Sequence, residues 1–528
     1  MFKNKKILLI CKETFTYPLF FAARKWRGSN TVASFFINPL ETVYHKSMIN
    51  KNTYYQFLKL DNVKIFDTND ITEIFTKNIQ SPPIDKEFIE NVEKKYTHYK
   101  NLNLQLLSSQ INTTYYHYRS YFNKITYEQQ LYWLELNYKK VIEVFNIFKP
   151  DIIIDTDNSE LPRTIISEIA FANDTPYVSI GYPRYELFKI PSYNLSIGID
   201  RIFKVEYNKF KKSALTDLKE EILYVKSFRD NKDIMSREYA NDITSRYKKE
   251  KLTTIFKRLI GRFYYLWDQD ILSRNLLIKL RNQVLFHQSP KLIRFFLIYE
   301  IKRWYLSRGN KIFDKPVIGE KYVYMPLHLI PESSTLTLAP FYINEITIIE
   351  QVSKSLPAGW SLYVKEHQSM VGERAIKFYK QIKKLSNVKI VQYNYYDDPK
   401  PWIEHSEGVV SVSGTSAYEA AMLGKKAIVF GDVPFSHIDG VTRVHSFEDL
   451  PKLIASFGTI DNIKSCASYL ATVKSIGMKI NLKYLMAEGE AIIKGDKGLS
   501  NEFQEQIDQL MEFYEKAYDI YRDKTFKN

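Results

Sequence analysis

The sequence predicts two α/β domains, each built on a parallel sheet, with a basic helical stretch between them. Three observations carry this. Over Gly359–Phe435, short β-rich runs alternate with helical intervals, the pattern of right-handed βαβ units. The same alternation occurs over residues 6–37 and over 151–180. Between these regions, residues 203–315 become rich in Lys and Arg and take on helical periodicity. At 528 residues the chain is also too long for one ordinary core. The expected division is an N-terminal domain over 1–202, a helical basic connector over 203–317, a C-terminal domain over 318–490 and a closing helix over 491–528.

Composition narrows the function. A hydrophobic content of 45% supports a globular chain rather than a disordered one. The net charge of +15 favours anionic partners such as nucleotides, anionic lipid or polyanionic glycan. No zinc-finger, RNP or basic-zipper pattern occurs, so nucleic acid is not an expected partner. The two cysteines, Cys11 and Cys466, make neither a disulfide framework nor a metal cluster, which fits a reducing cytoplasm. The apolar run within Lys5–Cys11 is too short for a signal peptide, and no run approaches the ~18 apolar residues of a membrane span.

In chain order, Lys6–Cys11 (KILLIC) reads as a first strand, followed by a helix around Leu19–Trp26 and a strand over Thr31–Ile37. Such a unit opens a Rossmann-like domain, here without the G-x-G-x-x-G of a dinucleotide site. Residues 84–148 read as mainly helical. Asp151–Asp155 (DIIID) is a buried strand, then come Thr156–Glu160, a helix over Leu161–Ala172 and a strand over Pro176–Ile180 ending in Gly181-Tyr182-Pro183-Arg184. The connector carries the aromatic clusters Phe263-Tyr264-Tyr265, Trp267, Phe295-Phe296 and Trp304-Tyr305. It reads either as a solvated basic face or as a surface for anionic lipid or a partner. Lys321–Met325 opens the second domain, with strands at Trp360–Val364, Val388–Val391, Gly408–Val412 and Lys426–Gly431. Glu502–Tyr521 is an amphipathic helix.

In parallel sheets, ligands sit beyond the carboxyl ends of the strands. At that edge fall Lys365 and His367, which share a face by period-two alternation, together with Ser413-Gly414-Thr415-Ser416 and Gly431–Phe435. The SGTS loop enters a helix, whose free N–H groups suit a phosphate. Ser416 and Glu419 read equally as a capping box that needs no ligand, and Glu419 as an acceptor for ribose hydroxyls. Glu366 faces the other way and reads as a packing or salt-bridge residue. His328, Glu332, Ser333, Ser334 and Thr335 form a polar loop that could serve a phosphate or a sugar acid. In the N-terminal domain, Asp155, Asp157 and Glu160 are candidate catalytic carboxylates, with Glu13 as a competitor. Asp157 reads equally as a helix N-cap, and Asp155 as a turn residue. Asp155-Thr156-Asp157 spells D-x-D but lies beside no evident nucleotide site, so no metal is expected.

Taken together, PLHLIPESST (326–335), LPAGWSLYVKEHQ (356–368) and SGTSAYEAAMLGKKAIVFG (413–431) resemble the capsular polysaccharide biosynthesis family. That family contains GT-B glycosyltransferases, including those that transfer Kdo from CMP-Kdo. The resemblance spans roughly 320–450. Gln368 stands where the family has the proline of K-E-H-P, and Asp432-Val433-Pro434-Phe435 where it often has an aromatic pair, departures that bear on the sugar more than on the fold. The resemblance implies a GT-B-like fold with two Rossmann-like domains facing a cleft. It implies that His367 contacts the donor phosphate, that Ser413–Ser416 and Glu419 cradle the nucleotide, and that acceptor and catalytic carboxylate come from the N-terminal domain. The resulting expectation is a metal-independent transferase without a cofactor. It would move a sugar, such as Kdo or a related ulosonic acid, from a CMP-linked or other nucleotide donor to a surface glycan or glycolipid. His367 and Lys365 would stabilise the leaving group. The enzyme would lie in the cytoplasm, peripheral to the inner membrane face through the basic connector. The alternatives are a polyol-phosphate transferase, a sugar-nucleotide epimerase and a non-catalytic capsule-assembly protein.

Overall fold

Residues 2–37, 51–97, 101–108, 125–156, 161–193, 198–232, 234, 251–268, 289–308, 311–330 and 333–523 are described in the computed structural model. They form two Rossmann-like units. The first sheet contains β1 (Lys6–Cys11), β2 (Thr31–Phe36), β3 (Val63–Asp67), β4 (Ile152–Ile154), β5 (Tyr177–Gly181) and β6 (Phe188–Ser192). The second contains β7 (Tyr322–Pro326), β8 (Ser361–Lys365), β9 (Val388–Val391), β10 (Gly408–Ser411), β11 (Ala427–Val429) and β12 (Val441–Arg443). A last strand, β13 (Met478–Lys479), returns to the first sheet, whose order is β13-β6-β5-β4-β1-β2-β3. The second sheet runs β12-β11-β10-β7-β8-β9 and is parallel throughout.

The central strands are apolar on both faces because helices cover both. In β1, Ile7, Leu9 and Cys11 pack towards the helix Thr16–Trp26. Leu8 and Ile10 pack the other way, towards Tyr127–Phe148 and Leu161–Ala172. Alternation along one strand therefore feeds two cores.

The chain crosses back earlier than the boundary expected at 490. β13 pairs antiparallel with β6, and the helices Leu482–Lys494 and Asn501–Arg522 pack on the first domain. Phe503, Ile507, Leu510 and Tyr514 lie in one core with Ile7, Leu9 and Trp26. The connector divides as well. Phe203, Tyr207 and Val225, on the helices Gly198–Lys212 and Lys219–Asp230, belong to a core of the second domain. Phe295, Phe296 and Tyr299, on Ser289–Leu306, belong to a core of the first. These aromatics are thus interior, not a lipid-facing cluster. Trp304 is half-buried and Tyr305 exposed, as are Leu252, Phe256 and Ile260 on the helix Leu252–Asp268. The side chains of Phe263, Tyr264, Tyr265 and Trp267 lie outside the described residues. Among the described residues, no helix is long and apolar enough to cross a membrane.

Asp155 belongs to this scaffold, which corrects its reading as a catalytic carboxylate. It is fully buried at the end of β4, and both oxygens meet the Arg163 guanidinium, at 2.8 and 3.0 Å. Tyr177 Oη donates to the same carboxylate at 2.7 Å, and Tyr514 Oη donates to its backbone carbonyl at 2.7 Å, tying the last long helix to β4. A buried carboxylate saturated in this way is not available as a base. Arg163→Ala strips the pair of its cation and is expected to cost about 3–5 kcal/mol in denaturant unfolding; a loss below about 1 kcal/mol would show the pair to be dispensable.

Candidate active site at the switch point of the second sheet

β7 lies between β8 and β10, so the strand order reverses there. A crevice beyond the carboxyl ends forms at such a point. The loops that follow β7, β8 and β10 carry His328, His367 and Ser413–Ser416.

One guanidinium organises the first two loops. Arg374 is wholly buried. Its Nη2 lies 2.7 Å from Glu345 Oε2 and its Nε 2.9 Å from Glu366 Oε2. Nη2 also donates to the backbone carbonyl of His328 at 2.7 Å. Tyr379 Oη donates to Glu366 at 2.7 Å, and the His367 N–H donates to Glu366 Oε1 at 2.7 Å. The His328 N–H donates to Glu345 Oε1 at 2.6 Å. Burial pushes the Glu345 carboxyl up, but Arg374 and His328 outweigh it and hold it below the ordinary range. Burial dominates at Glu366, whose carboxyl is raised despite Arg374 and Tyr379. From outside, Lys302 Nζ donates to the carbonyls of Glu373 and Arg374, at 3.2 and 3.1 Å.

This network sets the imidazoles in opposite senses. His328 Nδ1 lies 3.3 Å from Glu345 Oε1, while its Nε2 accepts from the Ser413 N–H at 3.3 Å and lies 3.2 Å from Ser411 Oγ. His328 therefore carries its proton on Nδ1. His367 Nδ1 accepts from the Ser369 N–H at 3.2 Å, which leaves Nε2 as its donor. Burial, with the positive charge of Lys365 and its neighbours, lowers the His367 pKa to about 3. His367 is thus a neutral N–H donor near physiological pH.

The third loop is fitted to the first. A Cβ on Gly414 would lie 2.6 Å from Ser411 Oγ and 2.9 Å from His328 Nε2, so any larger residue would have to displace these two side chains. Gly414 N–H donates to Ser411 Oγ at 3.0 Å. Ser413 Oγ and Gln368 Oε1 are buried without a hydrogen-bond partner, and they lie on the loops that follow β10 and β8. Unmatched buried polar atoms of this kind call for a ligand or water.

Glu419 follows on the helix Ser416–Met422. No capping box forms: Thr415 takes the N-cap position without a side-chain cap, and Ser416 begins the helix. Thr415 Oγ1 instead approaches Glu419 Oε1 at 3.5 Å. Burial raises the Glu419 pKa to about 7; Arg184 and Lys365 pull it down, and Asp398 pushes it up.

The structure thus gathers Lys365, His367, His328, Ser413, Gly414, Thr415, Ser416 and Glu419 at one sheet edge. Thr335 is buried in the same domain. Glu332, Asp157 and Glu160 lie outside the described residues, as do the side chains of Glu13, Ser333 and Ser334. Sequence reasoning missed Glu345, Arg374, Tyr379 and Asp398. Glu366 takes the salt-bridge place its strand parity assigned.

No family model matches the chain, and no curated protein matches it. Among solved structures, it is similar to the beta Kdo 2,7 transferase of Thermosulfurimonas dismutans KpsC, with 10% identity over 68% of this chain and 90% of that one and a TM-score of 0.30. It is similar to the beta Kdo 2,4 transferase of the same protein, with 14% identity over 65% and 88% and a TM-score of 0.33. It is also similar to a UDP-GlcNAc 2-epimerase from Methanocaldococcus jannaschii, with 10% identity over 89% and 98% and a TM-score of 0.23. At these values the fold assignment rests on the strand orders above.

Glu419 gives the site a pH signature. Between pH 4.5 and about 7 the folded chain keeps a proton that the unfolded chain releases, so this group lowers stability as pH rises through that window. His367, depressed from 6.5 to about 3, acts oppositely and loses stability as pH falls through its own window. Glu419→Gln removes only the first effect. Its melting midpoint should gain on the wild type from pH 4.5 to about 7 and then level off; a difference that stays constant over that range would contradict the raised pKa.

Proposed function

We propose that this protein is a glycosyltransferase whose second domain holds a nucleotide-sugar donor and whose first domain binds the acceptor. The observation that carries the reading is the convergence, at the switch point of the second sheet, of a neutral His367 N–H donor, Lys365 and the SGTS loop with its unmatched Ser413 hydroxyl.

The chemistry follows from where charge develops. As the bond between the anomeric carbon and the phosphate oxygen breaks, negative charge builds on the phosphate. His367 Nε2–H and Lys365 stabilise it as preorganised donors, and Ser413 Oγ supplies a further hydrogen bond. Glu419, poised near neutrality, accepts from a sugar or ribose hydroxyl when ionised and donates when protonated. The acceptor hydroxyl needs a base from the first domain. Asp157 and Glu160 are the candidates, since Asp155 is committed to Arg163. The donor we favour is a CMP-linked ulosonic acid such as Kdo, and the acceptor a surface polysaccharide or glycolipid.

The test is thermal unfolding with CMP, UDP, GDP and CDP. The nucleotide that fits should stabilise the chain by about 2.7 kcal/mol at a hundredfold excess over its Kd. His367→Ala should weaken that binding about tenfold, or about 1.4 kcal/mol. A chain that responds to none of the four would rule out the donor site. Donor turnover that proceeds without any acceptor would replace the transferase with an epimerase.

A further inference from the structure

A loop of the first domain is tied to a helix of the second. It runs from the end of β5 through Tyr182-Pro183-Arg184-Tyr185. Tyr469 Oη, from the second-domain helix Ile463–Ile476, donates to the Pro183 carbonyl at 3.0 Å. Tyr185 is buried in the same core as Ala417, Tyr418 and Tyr469, with its ring edge-on to Tyr224 at 4.7 Å. The Tyr418 and Tyr469 rings are 5.6 Å apart, and Tyr418 immediately precedes Glu419. Pro183 is therefore held by a helix whose Tyr469 packs against Tyr418, on the helix that follows the SGTS loop, and Tyr185 shares their core, while Arg184 itself is exposed.

The backbone there is unusual. Arg184 has φ +63° and Glu186 φ +45°. Neither is glycine, and side chains adopt this left-handed region at a cost that surrounding contacts must sustain. A glycine at 184 would form the turn without strain, so this turn holds an arginine against its own backbone preference. The charge of Arg184 acts across the domain boundary on Glu419 and Tyr469.

We propose that Arg184 is a donor-binding residue, lent by the first domain to the phosphate of a nucleotide held by the second. This rests on the nucleotide-sugar reading above and deepens it, because it makes the donor site a joint product of both domains. A guanidinium suits that role, because its planar fork matches two phosphate oxygens at once. The strained turn would hold the backbone at 184 in place before the ligand arrives, so that less freedom is lost on binding.

The experiment uses the full chain and whichever of CMP, UDP, GDP and CDP binds the wild type, with Kd measured by calorimetry for wild type, Arg184→Gly and Arg184→Lys. Arg184→Gly relieves the turn and removes the guanidinium. It should keep its melting midpoint yet bind the nucleotide at least tenfold more weakly. Arg184→Lys keeps the charge without the fork and should fall between the two. If Arg184→Gly binds as tightly as the wild type, Arg184 is not in the donor site, although the nucleotide reading stands. If its midpoint falls sharply, the turn is structural and the inference fails. If the wild type binds none of the four nucleotides, the underlying reading fails and this inference with it.

Discussion

A buried guanidinium shared by two carboxylates is the interaction on which the second domain's edge depends. Arg374, Glu345 and Glu366 are all removed from water, a costly arrangement unless each charge is matched and hydrogen-bonded. Here the matching comes from the backbone of the loops themselves: the His328 N–H and C=O and the His367 N–H all terminate in this cluster. The loops after β7 and β8 therefore cannot drift independently. Replacing the cluster with apolar side chains could preserve stability, but it would release both loops. Its value lies in position rather than in net stabilisation.

Position at this edge converts sheet order into chemistry. Because β7 is flanked by β8 and β10, the loops after these three strands are neighbours although distant in sequence. The histidine after β7 faces inward and braces the SGTS loop, accepting from Ser413. The histidine after β8 is left with a free donor sense. One imidazole thus has both ring nitrogens engaged and the other keeps Nε2–H as a donor, and the distinction arises from which ring nitrogen each network occupies. The first domain is tied to the second. Its β5 loop is clamped to the second domain through Pro183 and Tyr185, and the last helices of the chain cross back to complete its core.

Much of the architecture was legible because buried parallel strands read as apolar runs. KILLIC over 6–11 and the run at 388–391 coincide with β1 and β9. The strands that escaped notice lack that signature: β3 is half-exposed at an edge, β6 contains Pro191, β12 is a three-residue edge strand, and β13 has two residues. The site was partly legible for a related reason. Strand-end position and period-two parity mark Lys365, His367 and Glu366 without any contact information. Arg374 and Glu345 carry no such mark, since their pairing comes from a loop and a helix start brought together only by the fold. Asp155 shows the converse. Its place after a buried strand resembled a catalytic one, yet Arg163, on the helix that follows, had already claimed it.

The central claim is that the Arg374 network fixes both imidazoles in opposite tautomers and leaves His367 uncharged with its proton on Nε2. Nitrogen-15 spectra of histidine-labelled protein read this directly, with His328→Gln and His367→Gln supplying the assignments. The account predicts His328 protonated on Nδ1, and His367 protonated on Nε2 and uncharged until the pH approaches about 3. A His367 ring that titrates near 6.5, or carries its proton on Nδ1, would contradict it.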